Sequence, residues 1–130
     1  MKDRSTIVCI RKGQILLIAR GRSRWSLPGG TIKRSEAPLQ AARRELAEET
    51  NLVDDGLTYL FRFGGLNKRH HVFLAEVTAR SAPHPQNEIT RCRWFNPMKI
   101  AALPASVPTR AIVELLIRSS GQKERRRGML

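Results

Sequence analysis

The chain has 130 residues, with 24 Lys and Arg against 11 Asp and Glu, for a net charge of +13. That length suits one domain with a core of its own, and that charge favours anionic partners over neutral or cationic ones. No apolar run approaches the roughly 20 residues of a membrane span, and Arg11 and Lys12 break the N-terminal apolar stretch, which argues against a secretory leader. Cys9 and Cys92 lie far apart with no CxxC spacing, which points to neither a disulfide framework nor a zinc site. The expectation is two free thiols in a reduced, cytoplasmic setting.

In chain order, residues 5–10 and 14–18 are short apolar runs joined by Arg11-Lys12-Gly13, the pattern of a hairpin. Trp25-Ser26-Leu27-Pro28-Gly29-Gly30 follows, and paired glycines let backbone approach a ligand or metal closely. Ser35 is placed to cap a helix start, and Pro38 is tolerated only in a first turn, so the helix should begin just after Ser35. Residues 39–50 are good helix formers, with Leu39, Ala42 and Leu46 on the stripe expected to face the core. Residues 57–63, 71–77 and 89–95 read as further strands, and Pro97 opens a short helix over 96–103. Residues 79–87 read as an exposed loop, and residues 108–119 as a helix with Ile112, Leu115 and Leu116 inward. The domain is expected to span 1–120, with 121–130 a basic, disordered and solvated tail.

The helix over 39–50 carries Glu45, Glu48 and Glu49 at i, i+3 and i+4. Like charges so spaced cost a helix about 0.2–0.5 kcal/mol per pair. Arg44 can pair with Glu48, but one arginine does not neutralise three carboxylates. A solvated acidic face is the ordinary reading of such a stripe. Composition argues against it here, because four of only 11 acidic residues fall between Glu36 and Glu49 in a strongly basic chain. A hard divalent cation such as Mg2+ selects carboxylate oxygens. His70 and His71 read as surface or strand residues, since a carboxylate helix calls for Mg2+ or Mn2+ rather than an imidazole site.

Gly30, Glu36, Arg44, Glu45, Glu48 and Glu49 stand at the offsets G-x5-E-x7-R-E-U-x-E-E-x-G-U, where U is aliphatic; only Asn51 departs, standing in place of glycine. This resembles the signature of the Nudix hydrolases. The approach Arg24-Trp25-Ser26-Leu27-Pro28-Gly29-Gly30 and the late Arg93-Trp94-Phe95 are also similar to that family. Asparagine tolerates the left-handed conformation that ends such a helix, so the departure implies some loss of stability and none of chemistry. The resemblance implies an α/β fold, a Nudix-type α/β/α sandwich with a mixed sheet and a loop–helix–loop catalytic box. It implies Mg2+, or Mn2+ in its place, held by Glu45, Glu48, Glu49 and the Gly29 carbonyl. Arg44 would orient the glutamates, Glu36 would support them from outside, and Glu88 or a box glutamate would act as base, with Glu76 a weaker choice.

The implied activity is hydrolysis of a diphosphate linkage in a nucleoside diphosphate joined to a further group. No proline precedes Pro83 after the box, which disfavours the ADP-ribose type and favours a nucleotide or dinucleoside polyphosphate. Arg24, Lys33, Lys68 and Arg69 are the candidate phosphate contacts, each weighed against a plain basic surface. Trp25 or Phe61 could stack on a base or sit in the core. The partner is a phosphorylated small molecule, with no membrane partner and nucleic acid in second place. Rival readings are a non-catalytic ligand-sensing Nudix domain, an RNA-cap hydrolase, and a charge-driven RNA-binding module. The intact glutamates oppose the first, and an aromatic content of 5% weakens the last.

Overall fold

In a computed structural model, residues 1–54, 56–65, 67–78 and 81–128 are described, with the backbone alone for 121–128. Six strands and three helical segments run in the order β1 (Lys2–Arg11), β2 (Gln14–Ala19), β3 (Gly29–Thr31), α1 (Pro38–Thr50), β4 (Thr58–Gly64), β5 (Lys68–Glu76), β6 (Arg91–Phe95), a 3-10 turn (Pro97–Ala102) and α2 (Val107–Gly128). The strand order is β4-β5-β1-β2-β6, with β3 paired to β1. β1 runs parallel to β5, and the other pairings are antiparallel, so the sheet is mixed.

The hairpin forms where expected. Lys12 and Gly13 both have positive φ, 50° and 74°, as a two-residue hairpin turn requires. β1 sits at the sheet centre and is covered on both faces, which is why it reads as a near-continuous apolar run. Its alternate residues feed two cores. Ile7 and Cys9 join Leu16, Ala42, Leu46 and Phe73 under α1. Val8 joins Leu17, Trp25, Val72, Ile100 and Ile112 under α2 and the 3-10 turn. The result is the α/β/α sandwich. Trp25 belongs to the second core, and Phe61 packs against it. Burial holds the Cys9 thiol up at about 12 and the Cys92 thiol at about 11, so both are inert.

Several details differ from the sequence reading. Ser35 does not cap α1: it lies in the left-handed region at φ 67°. The N-cap is Ala37, whose N–H donates to Gln40 Oε1 at 2.9 Å. Gly29–Thr31 form β3, a strand that the sequence does not predict, because two glycines carry no strand signal while their backbone pairs with Arg4, Ser5 and Thr6. β5 begins at Lys68 rather than at residue 71, since its polar N-terminal half pairs with β1 just as the apolar half does. In α2, Ile112 and Val113 are buried while Leu115 is exposed. The backbone stays helical through Gly128, past the boundary expected at residue 120. Of the expected loop and tail, Ala79, Arg80, Met129 and Leu130 lie outside the described residues. No helix among the described residues is long and apolar enough to cross a membrane.

α1 ends at Asn51, which adopts the left-handed conformation at φ 61° and donates its N–H to the Ala47 carbonyl at 3.0 Å. Gly29 is the tighter constraint. It lies at φ 154°, and a Cβ there would fall 2.3 Å from the Ser5 carbonyl oxygen on β1. Gly29→Ala should therefore lower stability by about 1–3 kcal/mol, the usual cost of forcing atoms into filled space. Urea denaturation of the two proteins checks this, and equal midpoints would show that β3 shifts freely.

Candidate active site

Gly29 and Glu49 define the core of the site. Glu49 is 2% exposed, and its Oε1 accepts the Gly29 N–H at 2.8 Å. Its other oxygen faces Arg20 Nη2 at 3.2 Å, and the same guanidinium reaches Glu88 Oε1 at 3.4 Å. Burial first, and then the Glu45 charge, push Glu49 up to about 7 in spite of the Gly29 hydrogen bond. Burial so outweighs the Arg20 contact.

Arg44 organises the other acids. It takes Glu36 in a two-pronged contact, Nε to Oε2 at 2.8 Å and Nη2 to Oε1 at 2.9 Å. Nη1 donates to Glu45 at 2.8 Å and to Glu48 at 3.3 Å, and Nη2 also donates to the Thr31 carbonyl at 3.2 Å. The Arg44 contact, with help from the Lys33 N–H, holds Glu36 down to about 2. Glu36 thus anchors Arg44, which in turn touches Glu45 and Glu48. Gly30 contributes an absence of bulk, since a Cβ there would fall 2.3 Å from Glu45 Oε1.

Glu45, Glu48, Glu49, Asn87 and Glu88 line one cleft of about 370 Å³. Asn87, at φ 57°, ties the loop to the helix by donating its Nδ2–H to the Glu48 carbonyl at 2.7 Å. As the side chains stand, no group of three acidic, His or Cys residues among the described residues is placed to hold a metal ion. The reason is visible in the ion pairs: Arg44 draws Glu45 and Glu48 one way, and Arg20 draws Glu49 and Glu88 another. The donor set still fits a hard cation, because every charged group lining the cleft is a carboxylate. Gly29 enters the site through its N–H. Glu76, on β5, is exposed and lies outside this cleft.

A second cleft of about 410 Å³ lies beside the first and includes Arg4, Arg20, Arg24, Lys68 and His70. Arg20 belongs to both, since it lines the basic cleft and pairs with two carboxylates of the acidic one. Arg24 and Lys68 line this cleft. Arg69 does not. Its neighbour on β1 is Asp3, which it grips at 2.6 Å on the opposite sheet face with His71 at 3.1 Å from the same oxygen. Adjacent strand residues point to opposite faces, so Lys68 and Arg69 cannot share one ligand. Lys33 is exposed and lines neither cleft. Arg4, Thr6 and Asn87 were not singled out from sequence as site residues. The even-numbered alternation of Arg4 and Thr6 with Lys68 and His70 was the available signal, but it required the β1–β5 pairing to read.

The model of the NUDIX domain family matches residues 1–116, and the chain belongs to that family. The crystal structure of a candidate nudix hydrolase family member from Chromobacterium violaceum superposes with a TM-score of 0.80 at 34% identity, covering 91% of this chain and 77% of that one. An RNA pyrophosphohydrolase of Actinobacillus succinogenes is 41% identical over 56 residues, 42% of this chain and 28% of its own. A candidate 8-oxo-dGTP diphosphatase of Bacillus subtilis is 29% identical over 97 residues, 72% of this chain and 65% of its own. The matches to the first RNA pyrophosphohydrolases span less than a third of the length of those proteins.

His70 offers a test of this local electrostatics. Burial, followed by the charges of Arg4 and Lys68, pushes it from 6.5 down to about 4. As pH falls from 6.5 to 4, the unfolded chain gains a proton that the folded chain refuses, so stability drops across that window. Glu49 acts in the opposite sense, because its raised value makes the folded state the better proton binder below about 7. The two are separated by difference. Relative to wild type, His70→Gln should become progressively more stable on acidification through the His70 window, measured by urea unfolding at fixed pH. Parallel curves would show that His70 is not held neutral.

Proposed function

We propose that this protein hydrolyses a phosphoanhydride bond of a nucleotide or dinucleoside polyphosphate with a divalent cation, Mg2+ or Mn2+ in its place. The observation that carries the reading is the gathering of Glu45, Glu48, Glu49 and Glu88 on one cleft of a chain with net charge +13, joined by Arg20 to a basic cleft. Glu45, Glu48 and Glu49 would hold the cation, with the Gly29 carbonyl as a further oxygen. When bound, it neutralises phosphate charge and acidifies water. Release of Glu45 and Glu48 from Arg44 would accompany binding, and Glu36 would keep Arg44 in place through its two-pronged contact.

Water then attacks phosphorus, the bond to the bridging oxygen breaks, and the departing phosphate takes up the electron pair. The attacking water gives its proton to a carboxylate. Glu88 is our choice for that base. It faces the same cleft, and its own backbone N–H and then Arg20 hold it below the usual glutamate range, so it is ionised at neutral pH. Arg20 would fix its orientation. Arg24 and Lys68 would bind phosphate in the basic cleft. The local match to RNA pyrophosphohydrolases favours a second reading, in which the polyphosphate is the 5′ end of an RNA. We place the protein in the cytoplasm on the strength of its two free cysteines.

Glu48→Gln and Glu49→Gln should each reduce hydrolysis by at least about a hundredfold while the fold is retained, since each would hold the cation directly and even the loss of an outer supporting group costs about 10–100-fold. Phosphate release is to be screened over nucleoside triphosphates, dinucleoside polyphosphates, nucleotide sugars and 5′-triphosphorylated RNA, with and without Mg2+. Near-normal turnover by both variants at saturating Mg2+ would refute the assignment. Gly30→Ala gives a second check. The added methyl meets only the end of the Glu45 side chain, so circular dichroism and melting should change little while the Mg2+ concentration needed for half-maximal rate rises by about 10–100-fold.

A further inference from the structure

The basic cleft contains two buried polar atoms with nothing to bind. Arg4 Nε and His70 Nε2 are both buried without a hydrogen-bond partner among the described residues. The two residues are register neighbours, Arg4 on β1 beside His70 on β5, and both line the cleft. His70 is only 5% exposed. Its Nδ1 faces Thr6 Oγ1 at 2.9 Å. If the Thr6 hydroxyl donates there, the ring proton sits on Nε2, and the orphan atom is a donor. Arg4 makes no ion pair within 4.0 Å among the described residues, although it is half-buried and burial lowers its proton affinity. Glu49 and Glu45 attract Arg4 only from a distance, and leaving its Nε donor unsatisfied costs about 1–3 kcal/mol.

The surroundings offer more donors. Lys68 and Arg24 line the same cleft, and α2 begins at Val107 beside its Ser106 and Pro108 wall, which adds the positive end of a long helix. None of the residues lining the cleft is acidic. Lys68, His70 and Pro108 then continue into a less polar cleft of about 570 Å³ that holds Phe63 and Val107. Arg4 Nε and the Lys68 ammonium are donors, as is His70 Nε2 in the tautomer where Thr6 donates to Nδ1, and one anion then answers all three.

We propose that Arg4, His70 and Lys68 form a subsite for a phosphate group of the substrate beyond the diphosphate that is cleaved. The subsite selects polyphosphorylated substrates longer than a simple nucleoside triphosphate. That selectivity rests on the hydrolase reading above, whereas the binding of phosphate here does not. The extra phosphate has two sources, a longer polyphosphate chain or the first phosphodiester of an oligonucleotide.

Binding is tested with inorganic tripolyphosphate by titration calorimetry, in EDTA so that no metal contributes. Arg4→Gln should weaken binding by at least about tenfold, the scale of a charged hydrogen bond. Arg62→Gln, an exposed change on β4 of equal charge, should leave it near wild type. Arg4→Lys should recover most of the loss. Lys68→Ala is exposed and cannot disturb the core, so it carries the same expectation if Arg4→Gln does not fold. Equal affinities in the Arg4 and Arg62 variants would overturn the subsite.

Selectivity is tested by comparing kcat/KM for a nucleoside triphosphate, a dinucleoside tetraphosphate and a 5′-triphosphorylated dinucleotide. Arg4→Gln should lower the value for one of the two longer substrates by about tenfold more than for the triphosphate, and the one that falls identifies the source. A parallel fall for all three, or none, would overturn the selectivity. A wild-type protein that hydrolyses none of them, yet loses tripolyphosphate affinity in Arg4→Gln, would refute the hydrolase reading and leave the phosphate subsite standing.

Discussion

A buried glutamate held by a glycine N–H ties this molecule together. The hydrogen bond from Gly29 to Glu49 joins the strand β3 to the last turn of α1, and it needs both partners in unusual circumstances. Gly29 must adopt a backbone conformation closed to other residues and press against Ser5. Glu49 must keep a carboxylate almost out of water. The contact fixes where the acidic face of α1 looks, and with it the position of the cleft shared with Glu88 and Asn87. Arg44 then sets the angles of Glu45 and Glu48 from the other side, and is itself fixed by Glu36. Arg44 serves near neighbours along the chain, while the Gly29–Glu49 and Asn87–Glu48 bonds span 20 and 39 residues.

Charge is sorted as well as paired. The two faces of the β1–β5 pair carry different chemistry at the same level of the sheet. Odd positions bring Asp3, Arg69 and His71 into a self-satisfied cluster, where Arg69 first and His71 second hold Asp3 far below the usual carboxylate range. Even positions bring Arg4, Thr6, Lys68 and His70 to the opposite face with their charge largely unanswered. Arg20 stands at the seam between this basic region and the acidic cleft. An extended anion with a cation at one end suits that polarity along its whole length.

Much of this was legible before any coordinates. The glutamate spacing on α1, the pairing of Arg44 with Glu48 and the hairpin at Lys12-Gly13 follow from local spacing, which one segment carries by itself. What escaped was non-local. β3 has no strand propensity and exists only because β1 offers it a partner. Lys68 and Arg69 look like one basic patch in the sequence, and become members of opposite faces once β5 is known to start at Lys68. Ser35 has the chemistry of a helix cap but lies before the N-cap, Ala37, because Pro38 occupies the first helical position and Gln40 serves the end instead. Leu115 shows the same limit, since a helical stripe does not say which of its members the neighbouring element covers.

The parallel alignment of β1 with β5 has a consequence for how the chain acquires its shape. Lys2 meets Lys68 and Ile10 meets Glu76, so the middle of the sheet is assembled from segments that are made at very different times. During synthesis, β1 leaves the ribosome well before β5 and waits, with one edge open, until that neighbour follows. Long-range pairing of this kind slows folding, and an unpaired apolar edge invites association between chains. The short hairpin with β2 protects only one side of β1 in that interval. Yield and solubility during expression should therefore respond more to changes in β5 than to equal changes in the peripheral strand β6.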